Sequence, residues 1–151
     1  LLSPVLGMLA EKVQLILLER PEPKFDLNLL LRNIVRGLGI TLRNTAVELN
    51  FTIILVLAGF IFPPISLFTS LLVILIQAYF IGFGMIDLRN EFLQFSAKKS
   101  RKIIRKHAGF SIGNGLGFVL MVFIPFLGIL FAPILSVIGS NIGIFDLRKD
   151  E

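Results

Sequence analysis

The sequence predicts an all-α integral membrane fold: two transmembrane or partly penetrating helical hairpins joined to interfacial, basic amphipathic helices. Three observations predict it. Hydrophobic residues make up 55% of the 151 and charged residues 17%, against about 45–50% and about 25% in a soluble domain. The charge is also segregated, since residues 49–86 and 108–145 contain no Asp, Glu, Lys or Arg. A helical crossing of hydrocarbon takes about 20 apolar residues, so each 38-residue block has room for two. Finally the layout repeats: basic helix, apolar block, basic helix, apolar block, basic tail, with DLR at 87–89 and again at 146–148. Such paired hairpins occur in many transporter folds. Residues 1–151 are read as one membrane domain.

The elements follow in order. Residues 1–20 are apolar but carry Glu11, Lys12 and Gln14 in the middle, which suits a helix lying at the interface, or the end of a span that began upstream. The sequence opens on Leu1, and a further N-terminal segment is expected before it. PEPK at 21–24 is a break. Residues 27–49 form a second interfacial helix, on which Asn28, Arg32, Arg36 and Arg43 fall within about 80° of one another at 100° per residue. Such an arginine stripe lies against anionic head groups, or gathers small anions at the mouth of a pathway. The first apolar block, 49–86, is interrupted by Pro63-Pro64; two prolines in succession cannot continue a helix without losing backbone donors, so helix, turn, helix is expected. Residues 87–107 make a basic amphipathic helix with Lys98, Arg101, Lys102 and Arg105 on one face. The second block, 108–145, turns at Pro125. With both blocks going in and coming back, every basic segment ends on one side, which the positive-inside rule places in the cytoplasm.

The glycines of HAGFSIGNGLGFV (107–119) choose between two chemistries. A phosphate-cradling loop needs a preceding strand and a GxxxxGK[ST] pattern, and neither is present. Gly109, Gly113 and Gly117 recur every four residues, the small-xxx-small spacing that lets helix backbones approach in a bilayer. Gly128, Ala132, Ser136 and Ser140 do the same in the next segment, so these two small faces are expected to pack on each other. Asn50, Gln77, Asn114 and Asn141 are polar within the apolar blocks. Each forms an interhelical hydrogen bond or lines a polar path.

Several functions are disfavoured. There is no cysteine and a single histidine, His107, which leaves neither thiolate chemistry nor a histidine metal site. No nucleophile, base and orienting acid share any positional logic; an enzyme is not expected, nor a metal or cofactor. Asp87 and Glu91, one turn apart, are expected to pair locally with Arg89 or nearby lysines. The net charge of +5 is explained by residues flanking apolar spans, so no nucleic-acid partner is expected.

YFIGFGMIDL (79–88), KKSRKIIRKHAGFSIGNGLGF (98–118) and IPFLGILFAPILSVIGSN (124–141) together resemble the CysZ-like sulfate transporters, which share a domain with the etoposide-induced ER membrane proteins. There are departures: Gly128 stands where many members carry Asn, and GSN at 139–141 replaces GAT. The family's N-terminal Gly-Leu-Arg segment, associated with sulfate in bacterial members, lies outside this sequence, and that site is not carried over. The resemblance implies a multi-pass protein of the bacterial inner membrane, or of the ER membrane if eukaryotic, forming a homo-oligomer and admitting sulfate or a similar small anion for sulfur assimilation. Its candidate anion residues are Arg32, Arg36, Arg43, Arg105, His107 and Asn114, the arginines gathering charge and the asparagine donating a neutral hydrogen bond. The other reading is a non-transporting scaffold whose basic helices hold anionic lipid head groups.

Overall fold

The structure is a computed structural model and describes residues 3–18, 27–124 and 127–149. Among them every regular element is helical: α1 (Ser3–Leu18), α2 (Leu27–Ile61), α3 (Ser66–Phe92), α4 (Ala97–Lys106), α5 (Ala108–Val122) and α6 (Leu127–Lys149), with a single 3-10 turn at Pro63–Ile65 between α2 and α3. The expected breaks at PEPK and Pro125 fall outside the described residues.

Two helix boundaries differ from expectation. No interfacial helix ends at residue 49; α2 runs on for 35 residues, about 52 Å at 1.5 Å per residue. The reason is local. Val47-Glu48-Leu49-Asn50 holds neither proline nor glycine, so polarity changes there while the backbone does not. The expected helix 87–107 is instead divided. DLRNEF is the last turn and a half of α3, Gln94 then takes a left-handed φ of 57°, and α4 starts afresh with Ser96 as its N-cap, accepting from the Lys99 amide at 3.3 Å.

Leu27–Ile61 and Pro63–Phe92 are long and apolar enough to cross a membrane. None of the most apolar stretch of α2 is buried, and Phe60 and Leu67 beside the turn are each 84% exposed. A contiguous apolar surface of this extent needs an apolar surrounding. With 15 residues, α5 reaches only about 22 Å, short of the roughly 30 Å of hydrocarbon.

The interior is small and cinched by close backbone approaches. Ile40, Phe83, Ile86, Ile104 and Ile144 form the apolar core, flanked by Tyr79, Ala97 and Phe110. Beside it α3 and α5 cross almost backbone to backbone. A Cβ on Gly82 would run into the Ser111 carbonyl, and one on Gly115 into the Ala78 carbonyl. Ser111 Oγ also donates to the Tyr79 carbonyl at 2.9 Å. The small-residue contact is therefore Ala78-xxx-Gly82 against Ser111-xxx-Gly115.

This corrects the expected packing. Gly109, Gly113 and Gly117 are exposed, and a Cβ on any of them meets nothing within 4 Å. The small face of α6 is buried at Gly128, Ala132, Ser136 and Ser140 and does pack on α5 as expected, but not against that glycine row. Gly128 abuts the backbone of Met121 and Val122, Ser136 meets Asn114, and Ser140 Oγ donates to the α3 carbonyl of Met85 at 3.2 Å. Spacing of four identified small faces but not which phase of α5 was inward.

The remaining intramembrane-type polar residues divide cleanly. Gln14, one of the three residues that argued for an interfacial α1 with Glu11 and Lys12, is fully buried and donates to Asn141 Oδ1 at 3.0 Å; α1 packs on α6 rather than lying apart. Asn141 in turn donates to the Val137 carbonyl at 2.7 Å. Asn50 returns to its own helix, donating to the Ala46 carbonyl, and Gln77 is exposed.

Gly115→Leu is expected to destabilise the fold by about 1–3 kcal/mol or more, because the obstructing atoms are backbone, whereas Gly113→Leu changes stability by less than about 0.5 kcal/mol. Thermal unfolding of both variants in detergent checks this; equal losses would contradict the assigned face.

Candidate functional site

The site is built around α4, AKKSRKIIRK, which carries six basic residues and no acid. Such a helix repels itself and must be held. Ser100, buried on its inner face, donates from Oγ to Asp87 Oδ1 on α3 and accepts from Asn90 Nδ2 at 3.0 Å. The same carboxylate receives Arg36 of α2 in a two-pronged pair, Nη2 to Oδ1 at 2.9 Å and Nη1 to Oδ2 at 3.3 Å. Arg36 Nε donates to the Phe95 carbonyl at 2.8 Å, and Nη1 lies 3.7 Å from Glu91. A planar guanidinium facing a carboxylate in two places is the strong, orientation-fixing form of an ion pair. Arg32 adds a tie at the rim, donating to Gln94 Oε1 at 2.7 Å. Asp87 and Glu91 thus pair with α2, not with Arg89 or the lysines as local spacing suggested, because the return of α3 along α2 brings Arg36 across.

About two helical turns along α2 from this clamp lies a cavity of about 400 Å³. Arg43, Asn44, Val47 and Phe51 line it from α2, one face at helical spacing. α3 contributes Leu72, Leu75, Ile76, Tyr79, Phe80 and Phe83. Arg101 and Arg105, one turn apart, close it from α4, and Ile112 from α5. Tyr79 is held edge-on between Phe80 and Phe83, with ring centroids 5.2 and 6.2 Å away. No carboxylate lines the cavity. Among the described residues Arg43, Arg101 and Arg105 take no ion pair, in contrast to Arg36. The cavity is therefore cationic at one end and apolar along the rest.

The six expected anion residues separate. Arg43 and Arg105 meet at the cavity. Arg32 and Arg36 belong to the clamp. His107 is the junction of α4 and α5, its carbonyl accepting from the Ser111 amide at 3.1 Å, and it does not line the cavity. Asn114 donates to Ser136, at 2.9 Å to Oγ and 3.2 Å to the carbonyl, away from the cavity. Arg101, Asn44 and Tyr79 were missed. Arg101 was legible as the residue one turn before Arg105; Asn44 and Tyr79 carry no sequence signal of their own.

The family model described as sulfate transporter CysZ/etoposide-induced protein 2.4 matches residues 1–133, which include every residue lining the cavity. No curated protein and no solved structure matches the chain significantly.

Asp87→Asn removes one member of a largely buried pair, whose side chains are 13% and 9% exposed. Arg36 then keeps, as an ion pair, only the longer contact with Glu91, at 3.7 Å, so the loss is expected to cost about 3 kcal/mol, the lower end for breaking a buried pair, while Arg36→Met combined with Asp87→Leu restores much of it. Chemical denaturation in detergent micelles measures both. An Asp87→Asn protein as stable as the parent would show that the clamp does not hold α4.

Proposed function

The chain belongs to the family of sulfate transporter CysZ and etoposide-induced protein 2.4, and on that premise we propose that it is a membrane permease for sulfate or a similar small anion, and not an enzyme. The observation that carries this reading is the meeting of Arg43, Arg101 and Arg105, on two different helices, at one cavity that no carboxylate lines. Clefts lined by one sign of charge concentrate the opposite ion. Asn44 and the Tyr79 hydroxyl offer neutral donors beside them. In this reading α2 and α3 form a hairpin through the bilayer, α5 and α6 penetrate it partly, and α4 lies on the cytoplasmic side of a bacterial inner membrane, where basic residues accumulate. A helix as short as α5 calls for neighbours to complete a path, which favours a homo-oligomer.

A specific feature favours the second reading, a non-transporting scaffold: the α2–α3 turn is uncharged and lined with exposed Phe60, Ile61, Phe62, Leu67 and Phe68, as suits a wedge that stays in one leaflet.

Radiolabelled sulfate uptake into proteoliposomes separates the two. Saturable uptake is expected, reduced by about tenfold or more in Arg43→Gln/Arg105→Gln, equivalent to at least about 1.4 kcal/mol at the cluster. Folded, inserted protein that admits no more sulfate than empty liposomes would contradict the permease.

A further inference from the structure

The cavity is larger and more apolar than a small anion can use. Eight of its lining side chains are aliphatic or phenyl, and they offer nothing to a tetrahedral anion once it sits on the arginines. The charged and apolar parts are also ordered in space. On α2 the lining begins with Arg43 and ends with Phe51, about 12 Å further along; on α3 it runs from Phe83 back to Leu72, about 16 Å. Both stretches lead away from α4 and toward the uncharged Pro63–Ile65 turn. The site is thus a slot with a cationic head at the end bearing the basic helix and an apolar tail directed along the two long apolar helices.

We propose that this slot binds an anionic phospholipid, its phosphate on Arg43, Arg101 and Arg105 and one acyl chain lying between α2 and α3 against Val47, Leu72, Leu75 and Ile76. Charge complementarity supports the head group: the lining holds three arginines and no carboxylate, and α4 adds exposed Lys98 and Lys102 beside it. The direction of the slot supports the chain, since a phospholipid presents its phosphate at the interface and its tail toward the bilayer centre, the same order as the lining. Binding of this lipid uses the arginines assigned above to anion gathering, but does not depend on transport occurring.

Tyr79 supplies a reporter. It lines the slot and is the single tyrosine in a sequence without tryptophan, so the intrinsic fluorescence of this chain comes from the site itself. The experiment measures its quenching in bilayers by phosphatidylglycerol or phosphatidylcholine carrying brominated acyl chains. Preferential quenching by the anionic lipid is expected, with an apparent affinity on the order of a hundredfold higher for three arginines at a head group. The preference disappears in Arg43→Gln/Arg105→Gln and survives in Lys98→Gln/Lys102→Gln, which lowers surface charge without touching the lining. Val47→Phe, which narrows the slot and leaves the charge intact, lowers quenching by the anionic lipid as well. Equal quenching by the two lipids in folded protein overturns the proposal, as does a preference lost equally in the lysine variant. Sulfate added to the lipid-free protein then tells whether the arginines belong to a free anion: a saturable rise in Tm that Arg43→Gln/Arg105→Gln abolishes would assign them to it. Uptake and quenching are separate readouts, so a failed lipid site leaves the permease standing and a failed permease leaves the lipid site.

Discussion

The bidentate pair between Arg36 and Asp87 joins α2 to α3, and Ser100 extends the same carboxylate to α4. The physical constraint is the burial of Asp87 itself. A carboxylate on a side chain only 9% exposed must have its charge met, and Arg36 and Ser100 come from two other helices to meet it. The consequence reaches past the clamp. α4 carries six basic residues and would otherwise leave an apolar neighbour for solvent. Held at Ser100, it presents Arg101 and Arg105 to the cavity while α2 presents Arg43. One arginine is neutralised so that three others can remain available.

A second constraint acts deeper in the fold. Lipid gives no hydrophobic drive for one helix to join another, so association rests on close packing and hydrogen bonds. Ala78, Gly82, Ser111 and Gly115 let α3 and α5 approach until only glycine fits, and Ser111 places a hydrogen bond in the contact. Asn114 with Ser136, and Gln14 with Asn141, repeat the device at the α5–α6 and α1–α6 contacts. Tyr79 and Phe83, on the same helix as this crossing, are thereby set as one wall of the cavity. A short helix, α5, thus fixes α3 from one side while the clamp fixes it from the other.

Much of this was legible in the residues, and the failures have definite causes. The charge-free blocks, the Pro63-Pro64 turn and the basic face of α4 all follow from polarity and backbone chemistry local to a few residues. The continuity of α2 through Leu49 was not read, because a change from amphipathic to apolar was taken for a helix end although no breaker stands there. On α5 two interleaved small-residue rows exist, 109-113-117 and 111-115; only the position of Ala78 and Gly82 on another helix decides between them. Arg36 was grouped with Arg43 because a helical wheel shows shared direction, not partners 51 residues away in sequence. Asn44 and Tyr79 became site residues only through the convergence of helices, which no local pattern encodes.

The direct test of this arrangement is the distance between α2 and α4 in a lipid bilayer. The sequence has no cysteine, so spin labels can be placed at Thr45→Cys and Lys102→Cys, both exposed positions, and their separation measured by pulsed electron resonance in nanodiscs. A single narrow distance is expected, broadening when Asp87→Asn is added, because the clamp is what seats α4 beside the cavity. A broad distribution with Asp87 intact, or one that stays narrow without it, would contradict that claim.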